Sequence, residues 1–285
     1  MGTYRKILVA IDGSEFSLHA LKESFKLAFH EGSWITVVSV APRYEGDLSL
    51  VGVGNVLGTL RGYCETALSK AQEIAKSSGA LIKTVCEEGE PHERIVDLAE
   101  AEDCDLIVTG RKGSSGLERV FVGSVAARVI GHSQRDVLVI PAHSEFGWEK
   151  VLFATDGSKY GQAAAEKAID FAKAYGGELK VVSVVDVPSA LYGVAPEAVE
   201  DMVRKAKGYV EAVKTRAASA GLNAETFVLE GEDAYRKITD FAKEQAINTI
   251  VLGSHGRTGL KRLLMGSVAE KTIGYAHCPV LVVKS

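Results

Sequence analysis

The chain has few cysteines and no pattern among them. Cys64, Cys86, Cys104 and Cys278 are scattered, with no Cys-x-x-Cys pair and no histidine at ligand spacing, so neither a zinc site nor a disulfide framework is expected, and four thiols in a reducing compartment are. Long apolar runs are missing too. No stretch approaches the ~18–20 residues of a membrane span, and the opening MGTYRKILVAIDGS lacks the apolar run of a secretory signal. The expectation is a cytoplasmic chain without a membrane partner. Nor is charge of one sign in excess: a net charge of -4, with 25% charged residues, gives no whole-protein footprint for nucleic acid. The phosphate loop ending Gly-Lys-Ser/Thr is absent, as is an obvious general base beside a nucleophile, so no catalytic residue is assigned.

What is present is a repeat. The 285 residues, 46% of them hydrophobic, suffice for two cores. Gly110, Gly113 and Gly123 recur as Gly253, Gly256 and Gly266, and KILVAIDGS at 6–14 recurs as KVLFATDGS at 150–158. A period this long marks a duplicated domain, because solenoid repeats run only ~20–50 residues. In each half, β-branched runs of strand length alternate with longer amphipathic segments, the pattern of a parallel sheet with crossover helices. The strand runs are KILVAID, WITVVSV, IKTVCEE, DLIVTG and DVLVIP, then KVLFATD, LKVVSVV, AETFVLE, NTIVLG and PVLVVK. In the helical stretch 196–221, Val199, Met202, Val203, Ala206, Val210 and Val213 trace one face. The reading is α/β, βαβαβαβαβ twice, with domains at 1–143 and 148–285. Nothing follows the last strand of either half to cover its edge, so the two last strands are expected to pair within the chain, as an isologous dimer interface would.

The glycine segments, GRKGSSGLERVFVGSVAARVI (110–130) and GSHGRTGLKRLLMGSVAEKTI (253–273), each begin where a strand run ends and close with Gly-Ser at the start of a helical pattern. The carboxyl ends of parallel strands form a crevice, and a helix N-terminus offers unpaired N–H groups. Together they suit phosphate. Gly110, Gly113, Gly253 and Gly256 let the backbone approach an anion, and Ser124 and Ser267 add a hydroxyl. A ligand-free explanation stands beside this one: Gly253 as a simple turn, and Ser267 with Glu270 as a capping box. Asp12 and Asp156, at the ends of the first strands, divide the same way between an Asx turn or helix cap and contact with a ribose hydroxyl, a base amino group or a divalent ion.

These residues resemble the universal stress protein (UspA) family in its tandem two-domain form. The likeness covers nearly the whole chain and rests on Gly-x2-Gly-x9-Gly-Ser at 110–124 and 253–267, with DGS after each first strand. It implies two tandem Rossmann-like domains of the adenine nucleotide alpha hydrolase type, each a five-stranded parallel sheet flanked by helices. It also implies a stress-response module that binds ATP or AMP, with Mg2+ as an accompanying ion. By position, adenine would lie near Ala10, Asp12 and Val40 in the first half and near Ala154, Asp156 and Val184 in the second. Ribose and phosphates would meet Gly110, Lys112, Gly113, Gly123, Ser124 and Val125, and correspondingly Gly253, His255, Gly256, Gly266, Ser267 and Val268. The first half departs from the commoner Gly-Ser-His-Gly by reading GRKG, and has Arg135-Asp136 where the second has Cys278-Pro279. The segments 41–60 and 186–200 also differ, as lids or binding surfaces do.

Three classes compete: a nucleotide-binding module, possessing adenine nucleotide as its partner and open to a homodimer; a slow ATP hydrolase or self-phosphorylating protein using Asp12 or Asp156 with a divalent ion; and an interaction protein with an empty site, against which the glycine motif argues. The SGGxDS loop of related ATP pyrophosphatases is absent from AIDGSEFS and ATDGSKYG. His255 is read as a hydrogen-bonding neighbour ahead of an acid or phosphate contact.

Overall fold

A run such as Ile7-Leu8-Val9, with no polar residue alternating, requires cover on both faces, and in the computed structural model all three side chains are fully buried. The structure describes residues 3–42, 56–112, 122–256 and 265–284. Two compact units meet in sequence at His143 and Ser144. The first runs β1 (Lys6–Ala10), α1 (Glu15–Glu31), β2 (Trp34–Ala41), α2 (Val56–Ser78), β3 (Ile82–Glu88), α3 (Pro91–Ala101), β4 (Leu106–Gly110), α4 (Ser124–His132) and β5 (Asp136–Ile140). Its strands pair in parallel in the order β3-β2-β1-β4-β5.

The second unit repeats the plan with β6 (Lys150–Ala154), α5 (Lys159–Tyr175), β7 (Glu178–Asp186), a one-turn α6 (Leu191–Val194), α7 (Pro196–Ser219), β8 (Ala224–Gly231), α8 (Ala234–Glu244), β9 (Thr249–Gly253), α9 (Ser267–Tyr275) and β10 (Val280–Val283). Its parallel order is β8-β7-β6-β9-β10. In both units the first strand has its successor on one side and the fourth strand on the other. Crossovers therefore leave in opposite directions, which opens a crevice at the carboxyl ends of β1 and β4, and of β6 and β9.

Burial follows position in the sheet. Leu106, Ile107 and Val108 of β4 are fully buried like β1, each such side chain contributing roughly 1.5–3 kcal/mol. Strands β3 and β8, at the ends of the order, are only half-buried. On α7 the buried residues are Val199, Ala206, Val210, Val213 and Ala217. Met202, expected on that face, is 43% exposed; it stands about 100° round the helix from Val203, on the shoulder of a stripe that one sheet face covers.

The cysteines depart from expectation. Cys64 on α2 and Cys86 on β3 are joined as a disulfide, with Cα atoms 6.0 Å apart, inside the range a bridge needs. Their 22-residue separation carries no local signal, because the β2–α2–β3 crossover alone lays the helix back on the strand. Cys104 and Cys278 remain buried thiols. Burial raises the first to about 11 and the second to about 12.

Candidate functional site

At the end of β6 the chain turns through Thr155-Asp156-Gly157-Ser158 into α5. Asp156 Oδ1 accepts the Ser158 N–H at 3.0 Å, and Ser158 Oγ, as the N-cap of α5, accepts the Gly161 N–H at 3.2 Å. The first half repeats this: Asp12 Oδ1 accepts from Ser14 N at 3.0 Å and from Ser14 Oγ at 2.5 Å, while Ser14 Oγ accepts from Ser17 N at 3.3 Å. Each aspartate thus builds an Asx turn feeding a cap, which fixes its carboxylate at the mouth of the crevice.

The opposite wall comes from the loop after β9. Its entry is tight: a Cβ on Gly253 would stand 3.0 Å from the Tyr160 carbonyl oxygen, where the first turn of α5 passes. Three residues on, a Cβ at Gly256 would fall 2.7 Å from Asp156 Oδ2, so a side chain here would displace either the loop or the carboxylate. Asp156 therefore uses one oxygen in its own turn and presents the other to the glycine loop. The two ligand-free and ligand-contact readings of this aspartate are compatible in one geometry. His255 Nδ1 lies 3.2 Å from Ser254 Oγ, and its ring sits 5.4 Å from that of Tyr160.

The Gly266 N–H donates to the Ser254 carbonyl at 2.9 Å, and Gly266 becomes the N-cap of α9 in extended conformation with no side-chain cap bond. The Ser267–Glu270 capping box does not form. The extended Gly266 makes Ser267 the first helical residue rather than the cap, while Glu270 N–H donates to the Gly266 carbonyl. By helix geometry the amides of Ser267, Val268 and Ala269 have no intrahelical acceptor. All three residues line one cavity of about 310 Å³, at the lower end of the roughly 300–1,000 Å³ of small-molecule sites.

Every second-half residue that the resemblance assigns to a nucleotide lines that cavity: Ala154, Asp156 and Val184 on one side, Gly253, His255, Gly256, Gly266, Ser267 and Val268 on the other. Its wall also includes Thr155, Ser158, Gly161, Val182, Asp186, Ala234, Ile238, Leu252 and Ala269, which the motif does not mark. Val182 shares the face of Val184 by the two-residue strand period. Ala234 and Ile238 are four apart on α8, whose first N–H bonds Asp186 Oδ2 at 3.4 Å. A different hollow of about 440 Å³, lined among others by Tyr192, Val199 and Lys207, contains none of the motif residues.

In the first half, Ala10 ends β1 and pairs in register with Thr109, Val40 lies near the end of β2, and Gly110 ends β4. Lys112 follows, and Arg111 is partly buried, burial lowering its pKa. The Gly123 N–H donates to the Arg111 carbonyl at 2.8 Å and caps α4 as Gly266 caps α9, so Ser124 and Val125 open its first turn. Gly113 lies outside the described residues, as do Arg257, Lys261 and Arg262. Among the described residues no group of three or more His, Cys, Asp or Glu converges on a metal position, and no helix is long and apolar enough to cross a membrane.

Comparison with known proteins agrees with this architecture. The model of the universal stress protein family matches twice, at residues 3–141 and 147–284. A universal stress protein of Methanocaldococcus jannaschii is 40% identical over 142 residues, covering 48% of this chain and 82% of that protein. Universal stress protein YxiE of Bacillus subtilis is 37% identical over 148 residues, covering 48% and 99%. The crystal structure of a universal stress protein from Archaeoglobus fulgidus superposes over 99% of this chain and 97% of its own, with a TM-score of 0.75 at 21% identity, and so shares the fold. Two copies of one family domain, each carrying the same glycine-capped helix before its last strand, place the chain in the universal stress protein family as a tandem member.

Proposed function

We propose that each half binds an adenine nucleotide, ATP or AMP, and that the chain works as a stress-response binding and signalling module whose occupied state changes its affinity for a partner. The observation that carries this reading is the second cavity: three helix N-terminal amides, a glycine loop approaching within contact of Asp156, and apolar walls from Val182, Val184 and Ile238 meet in one hollow. Amides and dipole suit phosphate, the apolar walls suit a base, and a carboxylate suits a hydroxyl or exocyclic amine. A magnesium ion carried on the phosphates would find the Asp156 carboxylate on the wall of the same cavity.

Calorimetric titration with ATP and with AMP tests the proposal, together with mass spectrometry of nucleotide released on denaturing the purified protein. Two sites per chain are expected, falling to one in Gly256→Val. Unchanged stoichiometry and affinity in that variant would refute the second-half assignment, and no binding of either nucleotide to the parent would refute the whole reading.

A further inference from the structure

Among the described residues two buried side-chain hydroxyls have no hydrogen-bond partner, Thr109 Oγ1 and Thr272 Oγ1. Thr109 is 4% exposed and Thr272 fully buried. Such orphans are rare, because desolvating a hydroxyl without replacing its water partners is unfavourable, and each needs a reason. Thr272 lies inside α9 and is not part of the cavity wall. Its counterpart in the first half is Val129, buried and apolar, so the first unit shows the same position working without a hydroxyl.

Thr109 is different in placement. It precedes Gly110 at the carboxyl end of β4 and sits in register with Ala10 across the β1–β4 pair, so the two side chains share a face of the sheet. The second-half counterparts of this pair, Ala154 and Leu252, both line the cavity. At the first-half position equivalent to the cavity-lining Leu252 there is therefore a buried, unpartnered hydroxyl in place of an isobutyl group.

We propose that Thr109 is a specificity-determining residue of the first crevice, its hydroxyl forming a hydrogen bond with a ribose hydroxyl of the bound nucleotide; this rests on the reading that the first half binds one. The assignment to ribose follows from position. On that reading the base would lie near Ala10, Asp12 and Val40, at the ends of β1 and β2, and the phosphates near Gly110 and the first turn of α4. Thr109 stands between the two regions, across from Ala10 in the strand register and next to Gly110 in the chain, where a sugar joining base to phosphate would pass. Leu252 offers no such bond, so the two crevices read the sugar differently.

The experiment isolates the first crevice in the Gly256→Val chain and titrates ATP, 2′-deoxyATP and 3′-deoxyATP by calorimetry, with and without Thr109→Val, a change of nearly equal volume. ATP is expected to bind about five- to tenfold more weakly to Thr109→Val, ~1.0–1.4 kcal/mol. One deoxy analogue should show that same loss against Thr109 and none further against valine. Without nucleotide, Thr109→Val should melt about 2 °C higher, because the orphan is gone. Thr272→Val should also melt higher but leave affinity untouched. Equal ATP affinity with and without the hydroxyl overturns the inference while leaving first-half binding intact, as does an equal loss for ATP and both analogues. Absence of any binding in the Gly256→Val chain overturns the first-half reading itself, and Thr109 with it. Should circular dichroism show Gly256→Val unfolded, the same comparison is made on the two-site isotherm of the full chain.

Discussion

Replacing Gly256 by alanine probes the contact on which the proposed second-half site rests. The added Cβ would stand 2.7 Å from Asp156 Oδ2, closer than carbon and oxygen can approach, so something must yield. The carboxylate is not free to swing away, since Oδ1 holds the Ser158 N–H at 3.0 Å and that turn feeds the cap of α5. The loop is held from the other side by the Gly266 N–H on the Ser254 carbonyl at 2.9 Å. Either way one hydrogen bond is lost, and if it is the one to the carboxylate the cost is about 1.5–3 kcal/mol. Urea unfolding of Gly256→Ala, Asp156→Ala and the double variant reads this as a double-mutant cycle. Once Asp156 is alanine the clash has no partner, so Gly256→Ala should then cost no more than a few tenths of a kcal/mol. The same penalty in both backgrounds would refute the argument that the carboxylate is what demands glycine here.

Two further outcomes follow from the cysteines. Thiol titration in denaturant without reductant should count two groups, Cys104 and Cys278, and four after reduction; closing a loop of 22 residues corresponds to about 3 kcal/mol of chain entropy, which reduction should remove. Four groups before reduction would contradict the Cys64–Cys86 pairing. The pH dependence of the free thiols has a definite sign. Burial raises Cys104 from 9.0 to about 11, so above pH 9 the unfolded chain loses its proton first and stability falls as pH rises towards 11, by at most about 1.4 kcal/mol per pH unit. Urea unfolding across that window should be flatter for Cys104→Ala than for the parent, and equal slopes would show that the thiol is not the titrating group.

The fold was legible because its central strands are buried on both faces. Runs like Ile7-Leu8-Val9 and Leu106-Ile107-Val108 have no polar alternation to be confused with a half-exposed sheet, and the duplication supplied each element twice. The second cavity was legible for a related reason: a Cβ at 253 would crowd the Tyr160 backbone and one at 256 the Asp156 carboxylate, so the sequence records those two contacts directly, whereas Gly266 has room for a Cβ and serves as the cap of α9. Ala234, Ile238 and Leu252 leave no such record, since an apolar residue lining a cavity looks like one filling a core. Ser267 and Glu270 have the spacing of a capping box, yet the extended Gly266 takes the cap and shifts the helix start by one residue. The Cys64–Cys86 pair was illegible because only a tertiary crossover brings the two together.

The two halves differ most in charge, and that difference yields a last test of the proposed nucleotide sites. Where the second half has Ser254 and His255 after its strand glycine, the first has Arg111 and Lys112. The backbone beneath is shared, with Gly123 N–H on the Arg111 carbonyl at 2.8 Å and Gly266 N–H on Ser254 at 2.9 Å, so charge is what changes. A unit charge about 7 Å from a phosphate in a solvated mouth contributes about 0.6 kcal/mol, and salt screens it over a Debye length of roughly 10 Å at 0.1 M. First-half binding should therefore prefer triphosphate over monophosphate more strongly than the second half does, and should weaken several-fold more between 0.05 and 0.5 M salt. Titrating ATP and AMP against Gly256→Val, and against a chain with Arg111→Ser and Lys112→His, checks both trends. If the double substitution leaves the triphosphate preference and its salt dependence unchanged, these cations do not face the phosphates and the first crevice does not hold its ligand in the orientation inferred from the glycine loop.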